Sequence, residues 1–405
     1  MRQARHAGES DNAHMNTDYL NADAMTQAAS STKPSDEMAY TPPTGQPVLE
    51  TIHLRKYFPL RQFKITGPRS VVHAVEDANL ALYPGRALAL VGESGSGKST
   101  IARMLARLYE PTSGSINFAG QPVRLGSGAG LHAYRRQVQM IFQDPFSSLN
   151  PIHSVRYHLS RPLRLYGHVH SRREETQQIL ALLDRVSLSP AEQFIQKYPH
   201  QLSGGQRQRI AIAQALAVRP KVVLADEPVS MLDVSIRLDV LNLLLRLKEE
   251  EQLALLFITH DIASARYFAE DTMVMYAGQT MEGGPSDEVI LAPKHPYTQL
   301  LISAAPDPDR IESENAGMPE LSARGEIPSL INPPSGCRFH PRCPHAMPIC
   351  RERFPGRTAL GGGHWTHCFL YGEGNTSDSA HDAVATASAH TSPSSPPAPT
   401  ILPNQ

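Results

Sequence analysis

Ala87-Leu88-Ala89-Leu90-Val91-Gly92-Glu93-Ser94-Gly95-Ser96-Gly97-Lys98-Ser99-Thr100 is the stretch that decides the fold. A short apolar run that reads as a buried strand breaks into glycines and re-emerges with Ile101, Met104, Leu105 and Leu108 at helical spacing. The order glycine, four residues, Gly-Lys-Ser is that of a phosphate-binding loop. Its glycines let successive backbone N–H groups face phosphate oxygens, Lys98 reaches the β/γ-phosphates and Ser99 ligates Mg²⁺. The helix that follows brings its N-terminus to the anion. A glycine-rich turn that binds nothing does not account for the whole pattern standing between a strand and a helix. The motif implies nucleotide binding and leaves open what the energy drives.

The chain has 405 residues, enough for one large domain or two with tails. Its 38 Lys and Arg balance 39 Asp and Glu, so overall charge gives no argument for a nucleic-acid or polyanionic partner. No run approaches about 18 consecutive apolar residues, and no charged segment followed by an apolar core opens the chain. Neither a membrane-spanning nor a secreted protein is expected. The four cysteines all lie at or after Cys337, unlike a dense secreted framework, which fits a reducing cytoplasm.

Residues 1–46 and 371–405 lack apolar periodicity and are expected to be disordered tails. Between them, strands are expected at 48–54, 71–75, 79–82, 87–91, 115–118, 138–142, 221–226 and 253–259. Residues 151–200 read as helical, clearest at 177–186, and a further helix carries Ile236, Val240, Leu244 and Leu247 on one stripe. Alternating strands and helices predict an α/β fold, a parallel sheet covered on both faces with ligands beyond its carboxyl ends. Residues 325–370 show little periodicity and read as a small appendix.

Asp226-Glu227 closes the strand at 221–226. There one carboxylate suits the Mg²⁺ environment begun by Ser99, and its neighbour, Glu227, suits the orienting of an attacking water. Upstream, Gln201-Leu202-Ser203-Gly204-Gly205-Gln206 leads into a helix, with Ser203 as cap and bare glycine N–H groups. This second anion site is one that a nucleotide on its own phosphate loop hardly needs. Here the sequence resembles the ATP-binding subunits of ABC transporters, whose Leu-Ser-Gly-Gly-Gln signature acts on the ATP of a partner in a head-to-tail dimer. The resemblance implies a P-loop NTPase with a RecA-like core, an antiparallel β subdomain, a helical insertion at about 144–205 and a small Cys-rich C-terminal appendix.

The same resemblance assigns the remaining residues. Gln143 matches the Q-loop glutamine, a Mg²⁺ ligand and sensor beside the insertion; Asp233 matches the D-loop aspartate that touches the opposite subunit; His260 matches the switch histidine at the γ-phosphate. Met231 stands where the family usually has alanine. Adenine is expected on an aromatic in Lys56-Tyr57-Phe58, with spacing favouring Phe58 over Tyr57. A core aromatic is the plainer reading of either ring.

The stretches Gln143-Asp144-Pro145-Phe146-Ser147-Ser148-Leu149-Asn150-Pro151, His295-Pro296-Tyr297-Thr298 and Gly325-Glu326-Ile327-Pro328 through Cys343 are similar to oligopeptide/dipeptide importer ATPases. The resemblance spans 48–368 and implies an ATPase domain at 47–292 and a C-terminal region at 293–370. It also implies ATP and Mg²⁺ as cofactors, and as partners a second ATPase subunit, related or identical, two membrane permeases and, indirectly, a solute-binding protein. The chain would then lie peripherally on the cytoplasmic face of the inner membrane. Cys337, Cys343, Cys350 and Cys368, with five, six and seventeen residues between them, are candidate ligands for a four-iron cluster or Zn²⁺. Buried free thiols are the plainer alternative. The competing function class is a soluble ABC-type ATPase acting on nucleic acid or ribosomes. Such proteins typically carry two modules or long coiled coils and a basic excess, and this chain shows none of these.

Overall fold

The computed structural model describes residues 41–43, 45–60, 70–123, 128–144, 148–304 and 326–372. Nearly all of the two expected tails, and Pro145, Phe146, Ser147 and Gly325 of the stretches quoted above, lie outside the described residues. The first layer is an antiparallel sheet in the order β2-β1-β4-β5, made of β1 (Leu49–Pro59), β2 (Val71–Leu82), β4 (Ser113–Phe118) and β5 (Gln121–Pro122). Two short strands were expected within 71–82, and one continuous strand is found. Ala78, Leu80 and Leu82 keep a period of two towards the core, and Glu76 and Asp77 between them are only partly buried, so the charges do not break the strand.

Between β2 and β4 lie β3 (Ala87–Val91) and α1 (Lys98–Leu105). All of β3 is buried, as a central strand covered on both faces must be. Then come α2 (Ala129–Gln137), β6 (Val138–Ile141), α3 (Val155–Leu165), α4 (Arg172–Arg185), α5 (Gly204–Leu216), β7 (Val222–Asp226), α6 (Val234–Glu251), β8 (Ala254–Thr259) and α7 (Ile262–Phe268). Helix α4 begins five residues before the apolar periodicity does, because Ser171 caps it by accepting from the Glu174 N–H at 3.1 Å. Its polar first turn gave periodicity nothing to read.

β9 (Asp271–Tyr276), β10 (Gln279–Pro285), α8 (Ser286–Leu291), α9 (Pro296–Ser303), α10 (Ile349–Glu352), β11 (Thr358–Gly361) and β12 (His364–Thr366) complete the chain. The eight-stranded main sheet runs β11-β12-β10-β9-β3-β8-β7-β6. Its β3-β8-β7-β6 portion is parallel, as expected; β9, not among the expected strands, adds in parallel beside β3, and β10, β12 and β11 add in antiparallel fashion. The sheet is therefore mixed, which the sequence reading did not anticipate. The C-terminal region joins the main sheet: β12 pairs with β10 at Glu282↔Thr366 and Gly283↔Trp365. Gly283 makes this possible, since a Cβ there would lie 2.5 Å from the Trp365 indole. The fully buried Glu282 carboxylate accepts from His364 Nε2 at 2.7 Å and from the N–H groups of Lys294 and His295 at 2.7 and 2.9 Å. A buried carboxylate needs such donors, and all three come from the C-terminal side of the junction.

Apolar cores fill the two faces of the main sheet. On one face Phe257 of β8 is wholly buried, its ring 4.5 Å from that of Phe268 in α7. Truncating it leaves a cavity, so Phe257→Ala is expected to lose about 3–5 kcal/mol of stability, read as a lower midpoint in denaturant. Among the described residues, no helix is long and apolar enough to cross a membrane.

Candidate functional site

The parallel strands bring the motifs together. Register pairs Ile141 with Ala225, Asp226 with Ile258 and Val91 with Thr259, so the carboxyl ends of β6, β7, β8 and β3 finish side by side. Just beyond those ends lie Gln143, Glu227, His260 and the phosphate loop. With Ala74 of β2 they line a cleft of about 550 Å³ containing Ser94, Gly95, Ser96, Gly97, Lys98, Ser99 and Thr100. This is the size expected of a small-molecule site.

The loop needs its glycines for room as well as for conformation. Gly92 (φ 150°) passes so close to Met275 that a Cβ would fall 2.1 Å from its carbonyl oxygen, and at Gly97 (φ 107°) a Cβ would meet the Ala74 oxygen at 2.3 Å. Lys98 Nζ lies across the loop, donating to the Gly92 and Glu93 carbonyls at 2.7 and 2.9 Å and to Ser96 Oγ at 3.4 Å. Burial lowers its pKa. An arriving phosphate offers the ammonium a charged acceptor in place of these neutral ones.

Ser99 Oγ donates to Asp226 Oδ1 at 2.7 Å, which places together the hydroxyl and carboxylate oxygens that Mg²⁺ prefers. Asp226 is itself buried, and burial raises its pKa. Glu227 adopts a left-handed backbone (φ 47°) that only over-determined surroundings sustain. Its N–H donates to the Ile258 carbonyl at 2.9 Å. Its Oε2 accepts from Gln143 Nε2 at 2.8 Å and lies 3.4 Å from His260 Nδ1. Gln143, expected at Mg²⁺, and His260, expected at the γ-phosphate, thus both meet one carboxylate oxygen of Glu227. Neighbours on both sides orient that carboxylate.

Other expected residues lie elsewhere. Ser203 caps α5, accepting from the Gln206 N–H at 3.2 Å, while Gln206 Oε1 accepts from the Ser203 N–H at 3.1 Å. Neither Ser203, Gly204, Gly205 nor Gln206 lines the cleft. Gly205 also packs: a Cβ there would lie 2.5 Å from Ile236 Cγ2 of α6. Asp233 and Met231 are exposed at the start of α6.

Tyr57 and Phe58 are half-buried on β1, outside the lining of the phosphate cleft. Tyr57 donates its hydroxyl to Glu76 at 2.5 Å, and its pKa is pushed up to about 12 by burial and then by that carboxylate. The Phe58 ring meets Tyr109 edge-on at 5.3 Å, with Lys56 Nζ 4.9 Å over its face.

Cys337, Cys343, Cys350 and Cys368 all line one cavity in the C-terminal region, beside His340, His345 and His367. Burial pushes the Cys337 thiol up to about 12 and Cys368 to about 11, and neighbouring thiols add to both. As placed, no three or more His, Cys, Asp or Glu side chains among the described residues are gathered to hold a metal ion. These side chains therefore form neither a tetrahedral zinc set nor a gathered set of cluster ligands.

Sequence reasoning missed the residues that brace the site from the C-terminal side. Tyr297 Oη accepts from the Glu93 N–H at 3.0 Å; Arg342 Nη1 lies 3.3 Å from both Glu93 carboxylate oxygens; Arg338 reaches Glu76 at 2.6 Å. Tyr297 was noted only as part of a subfamily stretch, and nothing local marked the arginines.

Comparison with known proteins finds two family matches along the chain. Residues 75–230 match the family model described as ABC transporter, and residues 281–350 match that of the oligopeptide/dipeptide transporter C-terminal region. The oligopeptide transport ATP-binding protein AppF of Bacillus subtilis is 43% identical over 325 residues, covering 80% of this chain and 97% of that protein. The oligopeptide transport ATP-binding protein OppF of Escherichia coli is 43% identical over 310 residues, covering 76% and 92%. Among solved structures, the dimeric post-hydrolysis state of the ATP-binding cassette MJ0796 with ADP and Pi is similar at a TM-score of 0.51. It is 29% identical and covers 59% of this chain and 98% of that one.

Proposed function

Because the chain belongs to the ATP-binding subunits of ABC transporters, of the oligopeptide/dipeptide type, we propose that it hydrolyses ATP to power uptake of peptides or a similar small solute through partner permeases. ATP and Mg²⁺ are its cofactors. The observation that carries the reading is the meeting of the phosphate loop, Gln143, Glu227 and His260 at four neighbouring strand ends. The alternative of an ATPase acting on nucleic acid or ribosomes has no support among these relatives.

In this reading the backbone of Gly92–Thr100 and Lys98 hold the triphosphate, while Ser99, Asp226 and Gln143 would hold Mg²⁺, which would supply charge neutralisation for phosphoryl transfer. Glu227 orients and polarises the attacking water, and His260 contacts the γ-phosphate. Phe58 stacks on adenine in preference to Tyr57, whose ring is already packed 4.3 Å from that of His73. Ser203–Gln206 and Asp233 act on the ATP of a second ATPase subunit. Closure of the pair over two ATP molecules moves permeases docked beside Gln143, and hydrolysis resets them. A solute-binding protein delivers the cargo, and the subunit sits on the cytoplasmic face of the inner membrane.

We also propose that the four cysteines hold a four-iron cluster. A cubane takes one thiolate per iron, so its ligands surround a cavity rather than a single point, and all four cysteines line one cavity. Bound there, the cluster supplies folding energy to a segment poor in apolar core. Anaerobic purification followed by iron and sulfide analysis should find about four of each per chain; a folded, iron-free protein would overturn this assignment.

The test of the whole reading is purification of the chain from membranes with its associated permeases. Mg²⁺-dependent ATPase activity and uptake of labelled peptide into reconstituted vesicles should both be lost in Lys98→Ala. Persistence of either activity in that variant, or stimulation of turnover by RNA rather than by solute, would sink it.

A further inference from the structure

The segment between Cys337 and Cys343 carries two arginines, and both leave the C-terminal region to grip the elements around the nucleotide cleft. Arg342 is almost wholly buried. Its Nη1 sits 3.3 Å from Glu93 Oε1 and Oε2 and donates to Tyr276 Oη at 3.2 Å, with its guanidinium 5.7 Å above the Tyr276 ring. Glu93 is the second residue of the phosphate loop. Its N–H is taken by Tyr297 and its carbonyl by Lys98, so every polar group of Glu93 is held. Arg338 acts on the other side. Nη2 donates to Glu76 at 2.6 Å, and Glu76 in turn accepts from Tyr57. Nη1 donates to the carbonyls of Ala277 at 2.5 Å and His73 at 3.2 Å. The turn at Ala277–Gly278 also touches the phosphate loop, through the Gly278 N–H to the Ser96 carbonyl at 2.8 Å.

The charge on Glu93 makes this more than bracing. A carboxylate inside a loop built to receive a triphosphate opposes the ligand unless something neutralises it. Among the described residues, the cation paired with that carboxylate is Arg342 of the C-terminal region, while Lys98 is turned inward on the loop. We propose that Arg342 is a positioning residue for nucleotide binding: it neutralises Glu93 and fixes the phosphate loop from outside, so that the C-terminal region sets the affinity of the cleft for ATP. Arg338 complements it by holding the β9–β10 turn against β2. Integrity of the cysteine-bearing segment is thereby coupled to ATP affinity, although no cysteine lines the cleft.

This inference rests on the reading of the cleft as an ATP site, so the unaltered full chain is titrated first with Mg²⁺ and a non-hydrolysable ATP analogue. If it fails to bind, that reading fails. If it binds, Arg342→Ala and the bulkier Arg342→Gln should each weaken binding about fivefold or more, the lower end of a typical coupling between sites. Arg342→Lys should retain most of the affinity. Adding Glu93→Gln to Arg342→Ala should recover most of the loss, because the carboxylate no longer stands unneutralised, and the loss should shrink as salt rises. Affinity unchanged in the folded Arg342→Gln protein would overturn the proposal. So would a loss that the Glu93→Gln addition does not relieve, since the arginine would then act by packing alone.

Discussion

Glu227→Gln is expected to lower ATP turnover at least about 100-fold while leaving ATP binding in place, the range in which loss of a general base falls. The substitution keeps the shape of the side chain. Its oxygen still accepts from Gln143 Nε2, and the strained backbone at residue 227 is unaltered. What disappears is the negative charge proposed to polarise the attacking water and to take its proton. Nothing on the binding side changes: Lys98, the loop N–H groups and the Ser99–Asp226 pair are intact. ATP should therefore persist in the cleft and hold two subunits together. Filter-bound nucleotide after incubation with Mg²⁺·ATP, and particle mass in solution, should both rise relative to the unaltered protein. Full turnover in this variant would remove Glu227 from the chemistry and leave its contacts with Gln143 and His260 as structural.

The parts of the site readable in the sequence are those where chemistry and spacing are local. Gly92 to Thr100 specifies its own turn and helix. Asp226-Glu227 and His260 each stand immediately after a continuous apolar strand, where a parallel sheet must present them. Their convergence followed from topology once the strands were recognised. The arginine clamp was not legible, because Glu93 and Arg342 are 249 positions apart and no periodicity links them. The joining of β12 to the main sheet escaped for a related reason. The strand has three residues, too short for alternation to register, and the site that receives it is marked only by the missing side chain of Gly283. β10 escaped because it runs through Gly283, Gly284 and Pro285, residues that read as a loop.

Ser203 offers the second large effect and tests whether one chain holds a complete catalytic site. Ser203→Asp keeps an acceptor for the Gln206 N–H, and aspartate caps helices as well as serine does, so α5 should form unaltered. What changes is charge: an anion replaces a hydroxyl on the helix end proposed to face the partner's γ-phosphate. In a desolvated interface, like charges at that distance repel strongly. Turnover of the assembled transporter should fall about 100-fold or more, comparable to loss of a transition-state donor. Ser203 lies outside the cleft of its own chain, so ATP affinity of the single chain should be unchanged. That pairing of results separates action across the dimer from action within a chain. If single-chain affinity fell as far as turnover, the signature would be reaching its own nucleotide, and the phosphate loop would be a whole site rather than half of one.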